Sequence, residues 1–307
     1  MIRETAAAFL RRHDMHYEAM PMASLRQLYR QEMDEALAGR PSSLYMIPSW
    51  LRADAEPRRE ESVLVIDAGG TNLRAGRARF DARGRVTVEA LRKRRMPGAG
   101  GEEITAEEMI RQIAAFALPL AGGCRRACIS FSYICDILPG GDGRIVALCK
   151  ELQVRGAEGV QVCASLEKAL QELGAPGERE WKLINDSVGS LLGGMAGCDR
   201  SRYADCIGFI LGTGTNTCCR LPVTEDARYP ELRALGGETI FNMESGCFDK
   251  LVRGTADREL DAASERPGDH LAEKMISGSY YRQVLLRTLQ IAAREGLLCP
   301  ETTWRRR

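Results

Sequence analysis

The chain has 307 residues with 43 basic and 42 acidic side chains, and its net charge of +1 gives no electrostatic footprint for nucleic acid or an anionic membrane. That length allows two domains of ordinary size, each burying a core of its own. Eleven cysteines, an odd number without paired C-x-x-C spacing, exclude a zinc site of that kind and read as reduced thiols of a cytoplasmic protein.

Residues 1 to about 40 predict helix, with Leu25, Leu28, Met33 and Leu37 at helical spacing between charges. The apolar run Ala6–Leu10 is too short for a signal segment or a span, and no other stretch reaches membrane length. Pro41 and Pro48 break the helical pattern, leaving Ser42–Trp50 extended and the polar run Arg52–Glu61 as a linker. Val63–Ile66 is an unbroken apolar run and predicts a strand covered on both faces. After Asp67, Gly69 and Gly70 permit a tight turn into a second strand, Leu73–Phe80. A turn at Asp81–Gly84 leads to a third strand ending near Leu91, which makes an antiparallel meander. The arginine-rich patches around Arg58, Arg59 and Arg92–Arg95 read as solvated surface.

Pro97–Gly101 is a loop, and Thr105 with Glu108 forms a T-x-x-E capping box ahead of Met109, Ile110, Ile113 and Phe116. A strand over Ala127–Ser132 follows, and another, Trp181–Asn185, runs into a helix from Ser187. The second half begins as the first does, with strands at 206–211 and 216–221, an apolar segment at Thr239–Phe241, and helices from about Phe248 and over Ser279–Glu295.

The chemistry lies in the turns. Val63–Arg74, VLVIDAGGTNLR, sets a carboxylate and several backbone N–H groups at one edge of a sheet, an arrangement able to hold a metal-bound phosphate. Cys206–Arg220, CIGFILGTGTNTCCR, repeats the arrangement. Two such hairpins suggest two related domains facing each other across a cleft.

At this point the chain resembles the hexokinase/glucokinase family, in order from about Val63 to Leu298. The segments that carry the resemblance are IDAGGTNLR, FSYI with CKELQVRG, INDSVGSLL, GFILGTGTN, NMESG and PGDHLAEKMISGSYYRQVLL. It implies an α/β fold of two ribonuclease H-like domains facing a cleft. Residues 1–61 would be an N-terminal helical segment packed with the large domain, 62–184 the small domain, and 185–307 the large domain. The implied reaction is phosphoryl transfer from ATP, with Mg²⁺, to the 6-hydroxyl of a hexose, most readily glucose.

A sugar hydroxyl is a poor nucleophile, so such a site must orient it, accept its proton and neutralise developing charge. The resemblance gives Asp186 as the base, although an Asp at the start of a helix also suits a cap. It places Ser132, Tyr133, Cys149, Lys150, Asn185, Asp186, Asn216, Glu244, His270 and Glu273 at the sugar, with Lys150 also near the transferred phosphoryl group. Amides and carboxylates suit a polyol, whose hydroxyls both donate and accept. Taken singly, Glu244 and Glu273 also read as exposed charges. Phosphate falls to Gly69, Gly70, Thr71, Asn72 and Arg74, and to Gly212, Thr213 and Gly214. Asp67 is implied to meet Mg²⁺ through water.

Three departures from the family stand out. Cys149 occupies a threonine position and His270 a glutamine position, which bears on sugar identity. Family members also continue past Ser279–Glu295, through elements that complete the second domain and carry the adenosine pocket. The expectation is therefore a second domain incomplete at its C-terminal end, with a homodimer covering the exposed edge. The alternative is a catalytically impaired sugar-binding or regulatory protein, or a fragment without the adenosine pocket. A bacterial repressor/kinase type is disfavoured, because the cysteine- and histidine-rich segment of that type is absent.

Overall fold

A computed structural model describes residues 2–55, 58–148, 152–197, 202–223 and 228–298. The chain opens with α1 (Ile2–Arg12), α2 (Met22–Leu37) and β1 (Ile47–Pro48). Next come β2 (Val63–Ala68), β3 (Asn72–Phe80), β4 (Val86–Arg95), β5 (Ile104–Thr105), α3 (Ala106–Ala121) and β6 (Arg126–Phe131). The middle holds β7 (Ile134–Ile137), β8 (Gly143–Ala147), β9 (Val154–Arg155), α4 (Val162–Glu172), β10 (Glu180–Ile184) and α5 (Asp186–Gly197). The last third is β11 (Ile207–Leu211), β12 (Thr215–Pro222), β13 (Glu238–Asn242), α6 (Thr255–Ala262), α7 (Leu271–Ile276) and α8 (Gly278–Arg294).

Two compact units form, neither of them one continuous run of sequence. One comprises residues 47–208 and 218–242; the other comprises 1–46, 209–217 and 243–307.

The first unit is built on a five-stranded sheet in the order β10-β6-β2-β3-β4. β2 pairs antiparallel with β3 and parallel with β6, and β3 pairs antiparallel with β4, so the expected meander is present. Helices α3 and α4 pack on one face of this sheet. There Leu64, Ile66, Ile129, Phe131, Met109, Ile113, Leu166 and Leu170 are buried in one core. Thr105 caps α3 by accepting the Glu108 N–H at 3.1 Å, the backbone half of the expected capping box.

β2 is not covered on both faces. Leu64 and Ile66 are fully buried while Val65 between them is 37% exposed, so the strand alternates although every residue in the run is apolar. On the opposite face α5 covers the β6 side through Ile184, Val188 and Leu191, which pack with Cys128, and the face is open over β2, β3 and β4. A buried ionic group ties α4 to β10: the Glu167 carboxylate accepts from Arg179 at 2.9 Å and from the Trp181 indole N–H at 2.7 Å.

The second unit packs α1 against α6 and α8 through Phe9, Ala256, Ile291 and Ala292. A second cluster, Leu25, Leu44, Phe248 and Ala272, holds α2. The helix expected from Phe248 begins later, at Thr255. Residues 245–247 form one tight turn, and Gly254 caps α6 by donating its N–H to Asp257 at 2.8 Å. The six-residue α7 is anchored by buried Lys274, whose ammonium donates to Asp261 at 2.7 Å, to the Ser264 hydroxyl at 2.9 Å and to the Arg266 carbonyl at 2.6 Å. Burial works to raise the Asp261 pKa, but Lys274, the Gly268 N–H and Arg253 hold it below the ordinary carboxylate value.

Candidate functional site

The residues picked from the sequence fall into two sets, one in each unit. In the first unit the β2–β3 turn is closed by the Gly69 N–H donating to the Asn72 carbonyl at 3.0 Å. Asp67 ends β2 opposite Arg74, and the guanidinium donates to its carboxylate at 2.5 Å. The Tyr133 hydroxyl donates to the Gly69 carbonyl at 2.7 Å, and the Ser132 N–H donates to the Ala68 carbonyl at 3.1 Å. Thus the FSYI segment braces the GGTN turn from behind.

Asp186 lies where β10 meets α5, in the same unit. Burial raises its pKa above the ordinary carboxylate value. The Ser187 N–H and the Ser132 hydroxyl oppose that rise as donors, and the Asp67 charge adds to it. The cap falls mainly to its neighbour: Asn185 Oδ1 accepts the Ser187 N–H at 2.9 Å and the Ser187 hydroxyl at 2.7 Å. Asp186 is the first residue of the helix, where the helix dipole favours its ionised form.

In the second unit the hairpin between β11 and β12 brings Gly212, Thr213, Gly214, Asn216, Glu244, His270 and Glu273 into one neighbourhood. Glu273 Oε2 accepts the Thr215 N–H at 2.9 Å, and a Cβ on Gly214 would lie 2.6 Å from that oxygen, so only glycine lets the carboxylate lie against the turn. Asn216 is buried. It donates to Glu244 at 3.4 Å, and its Oδ1 accepts the Ser245 N–H at 3.3 Å. The turn is also held from below, where the Gly278 N–H donates to the Gly212 carbonyl at 2.8 Å and the Ser279 N–H donates to Thr213 at 3.1 Å.

Glu244 and His270 adopt left-handed backbone conformations, φ 53° and 51°, which non-glycine residues take up at a cost of about 1–3 kcal/mol each. His270 Nδ1 sits 3.4 Å from the Cys247 sulfur. Burial first, then the charges of Glu244, Glu273 and Asp269, push the Cys247 thiol up to about 12. Neither glutamate is an exposed surface charge; both are part-buried in these networks. Cys149 and Lys150 lie outside the described residues.

Ser187, Thr215, Ser245 and Gly278 also shape the two sets and were not singled out from the sequence. Thr215 and Gly278 stand inside the GTGTN and ISGS runs. The bonds that Thr215 and Gly278 make to Glu273 and Gly212 come from their backbone N–H groups, which side-chain chemistry does not announce.

Two profiles described as Hexokinase match residues 9–196 and 206–305 of the chain. The chain belongs to the hexokinase family. Human Hexokinase-3 is 28% identical over 305 residues, covering 97% of this chain and 32% of its own length. A hexokinase-like 1 protein of Arabidopsis thaliana is 32% identical over 274 residues, covering 80% of the chain and 51% of its own length. An Aspergillus niger glucokinase is 28% identical over 294 residues, covering 85% and 59%. Among solved structures, a hexokinase from Schistosoma mansoni complexed with glucose superposes with a TM-score of 0.70 at 20% identity, covering 96% of this chain and 67% of that one. That likeness shows the α/β hexokinase fold. The chain spans about a third of the human hexokinase and just over half of the other two relatives.

Among the described residues no three His, Cys, Asp or Glu side chains come together as a metal cage, and no helix is long and apolar enough to cross a membrane. The donors present suit a divalent ion held by phosphate oxygens and water. The Asp67 carboxylate is about one-third exposed at the strand end, beside a turn of backbone N–H groups and within electrostatic reach of Asp186.

Proposed function

We propose that the chain carries the sugar-phosphorylating machinery of a hexokinase and transfers a phosphoryl group from ATP to the 6-hydroxyl of a hexose, with glucose the first candidate. The observation that carries this reading is Asp186: a part-buried carboxyl at a strand-to-helix junction, its proton affinity raised by burial and by Asp67, with the Ser132 hydroxyl donating to it. Such a group is a better base than an exposed carboxylate and becomes active as pH rises through its pKa.

In this reading Asn185, Ser132, Tyr133, Asn216, Glu244, His270 and Glu273 meet the sugar's hydroxyls. Cys149 and Lys150 complete the sugar set by family position. Gly69, Gly70, Thr71 and Asn72 form the phosphate turn: the Gly69 N–H closes it on the Asn72 carbonyl, and the N–H groups of Gly70 and Thr71 are offered to the donor's phosphates. The Gly212–Gly214 turn does the same, with Arg74 and the Thr213 hydroxyl alongside. Mg²⁺ bound with the nucleotide and reached from Asp67 through water would supply positive charge to the phosphoryl oxygens.

Self-association belongs to the same reading. β11 ends its four-stranded sheet with Ile207, Phe209 and Leu211 exposed, the kind of apolar edge a second copy would cover.

The test is sugar-dependent ADP formation by this chain with glucose and Mg-ATP, beside calorimetry with glucose. Asp186→Ala is expected to lower turnover by about 10²–10⁴-fold while glucose still binds. Unchanged turnover in that variant would remove Asp186 from the base role.

A further inference from the structure

We propose that Lys93 and Arg95 extend the Gly69–Asn72 turn into a cationic lane along β4 that takes inorganic polyphosphate as a phosphoryl donor; this rests on the phosphoryl-transfer reading above. The register places the lane. Asp67 pairs with Arg74 across β2 and β3, Arg74 with Lys93 across β3 and β4, and Asn72 with Arg95. Directly opposed residues in antiparallel strands share a face, so Asp67, Arg74 and Lys93 form one transverse row, with Asn72 and Arg95 in the row beside it. A further bond fixes the end of β4 to the turn: the N–H of Met96, the residue after Arg95, donates to the Thr71 carbonyl at 2.9 Å.

The alternation along β4 separates two kinds of cation. Arg92 and Arg94 point to the covered face, where their guanidinium carbons lie 4.9 and 5.9 Å from the Phe116 ring centre of α3. Lys93 and Arg95 therefore lie on the open face with Asp67 and Arg74. Both are exposed, and among the described residues neither has a carboxylate partner. Among the described residues the Arg95 guanidinium donates to the Ala99 carbonyl, at 2.5 Å. Three acids of the surrounding strands and loop are engaged elsewhere: Glu89 with Arg77 and Arg79, Asp67 with Arg74, and Glu103 with Arg155.

Positive groups about 7 Å apart along a strand, running directly from a phosphate turn, fit a linear chain of phosphates. No base need be recognised on this face. In transfer, the terminal phosphoanhydride P–O bond breaks and phosphorus bonds to the sugar oxygen. The hydroxyl proton passes to Asp186, and a polyphosphate one unit shorter leaves.

The experiment titrates the full chain with inorganic polyphosphate at several salt concentrations, and separately with Mg-ATP, for the wild type, Lys93→Ala/Arg95→Ala and Lys93→Arg/Arg95→Lys. Expected for the alanine pair is at least a tenfold loss of polyphosphate affinity. The slope of log affinity against log salt should also fall by roughly 0.7 per charge removed. The conservative pair should keep both, and ATP affinity should change less than twofold. Unchanged polyphosphate affinity in the alanine pair, or an equal loss for ATP, would overturn the lane. Lane-dependent binding with no sugar phosphate formed from polyphosphate, in a chain that turns over ATP, would overturn its role as donor. Absence of turnover with either donor would count against the phosphoryl-transfer reading, while the binding titration alone would still decide the lane.

Discussion

The two glycine turns look alike as sequence, yet they are built in opposite ways. The GGTN turn of the first unit stands at the edge of an open sheet face, its carboxylate answered by Arg74 and its flank by further cations. The GTGT turn of the second unit is pinned from two sides, by the Glu273 carboxylate on the Thr215 N–H and by the start of α8 on Gly212 and Thr213. The first turn has positive charge beside it, and the second has a backbone donor, the Thr215 N–H, already satisfied by a carboxylate. The glycine pattern therefore identifies a turn, and the partners around it decide which chemistry the turn can serve.

The largest expected effect tests the first unit. Asp186→Asn should abolish turnover while raising thermal stability at neutral pH. The folded carboxyl has a raised pKa, so its stabilising contribution is full below the unfolded value and is lost as pH rises through the folded one. The melting temperatures of the two proteins should accordingly converge as pH falls toward the ordinary Asp range. A lower melting temperature for the variant at pH 7 would mean that the ionised carboxylate is favoured by its surroundings.

Next in size, Lys274→Ala tests the anchoring of the second set. It leaves Asp261 buried with only Arg253 and the Gly268 N–H, and should cost about 3 kcal/mol in chemical unfolding. Lys274→Arg is expected to recover part of this.

The comparison sharpens at single methyl groups. Gly278→Ala places a Cβ 2.7 Å from the Gly212 carbonyl oxygen, and backbone must move, at a cost of about 1–3 kcal/mol. Gly69→Ala meets its nearest atom at 3.5 Å and should stay within about 0.5 kcal/mol. Equal losses in denaturant melts would erase the distinction between a clamped turn and an open one.

Much of the first sheet was legible because its signals are local. Apolar runs ended at Asp67 and Gly69, and Thr105 announced α3. Helix α4 gave no such notice: its N-cap is Gln161, which makes no side-chain capping bond, and the Cys163 and Ala164 N–H groups are met instead by Asp142, some twenty residues earlier. The start of α6 was misplaced for a related reason, since Gly254 has no capping side chain and the capping bond comes from Asp257. The polar positions of the candidate site could be picked out by family resemblance. Most of their bonding could not, because Glu273 on a backbone N–H and the left-handed Glu244 and His270 depend on residues distant in sequence or on φ values that composition does not encode.

The Glu273–Thr215 bond has a practical consequence for anyone redesigning this chain. A carboxylate proposed to hold the sugar also fastens a hairpin, so position 273 is not an independent variable for altering selectivity. A library randomised there would mix changes in recognition with changes in loop shape. Asn216 carries the same double duty, because its Oδ1 accepts the Thr217 N–H at 2.7 Å and the Ser245 N–H at 3.3 Å.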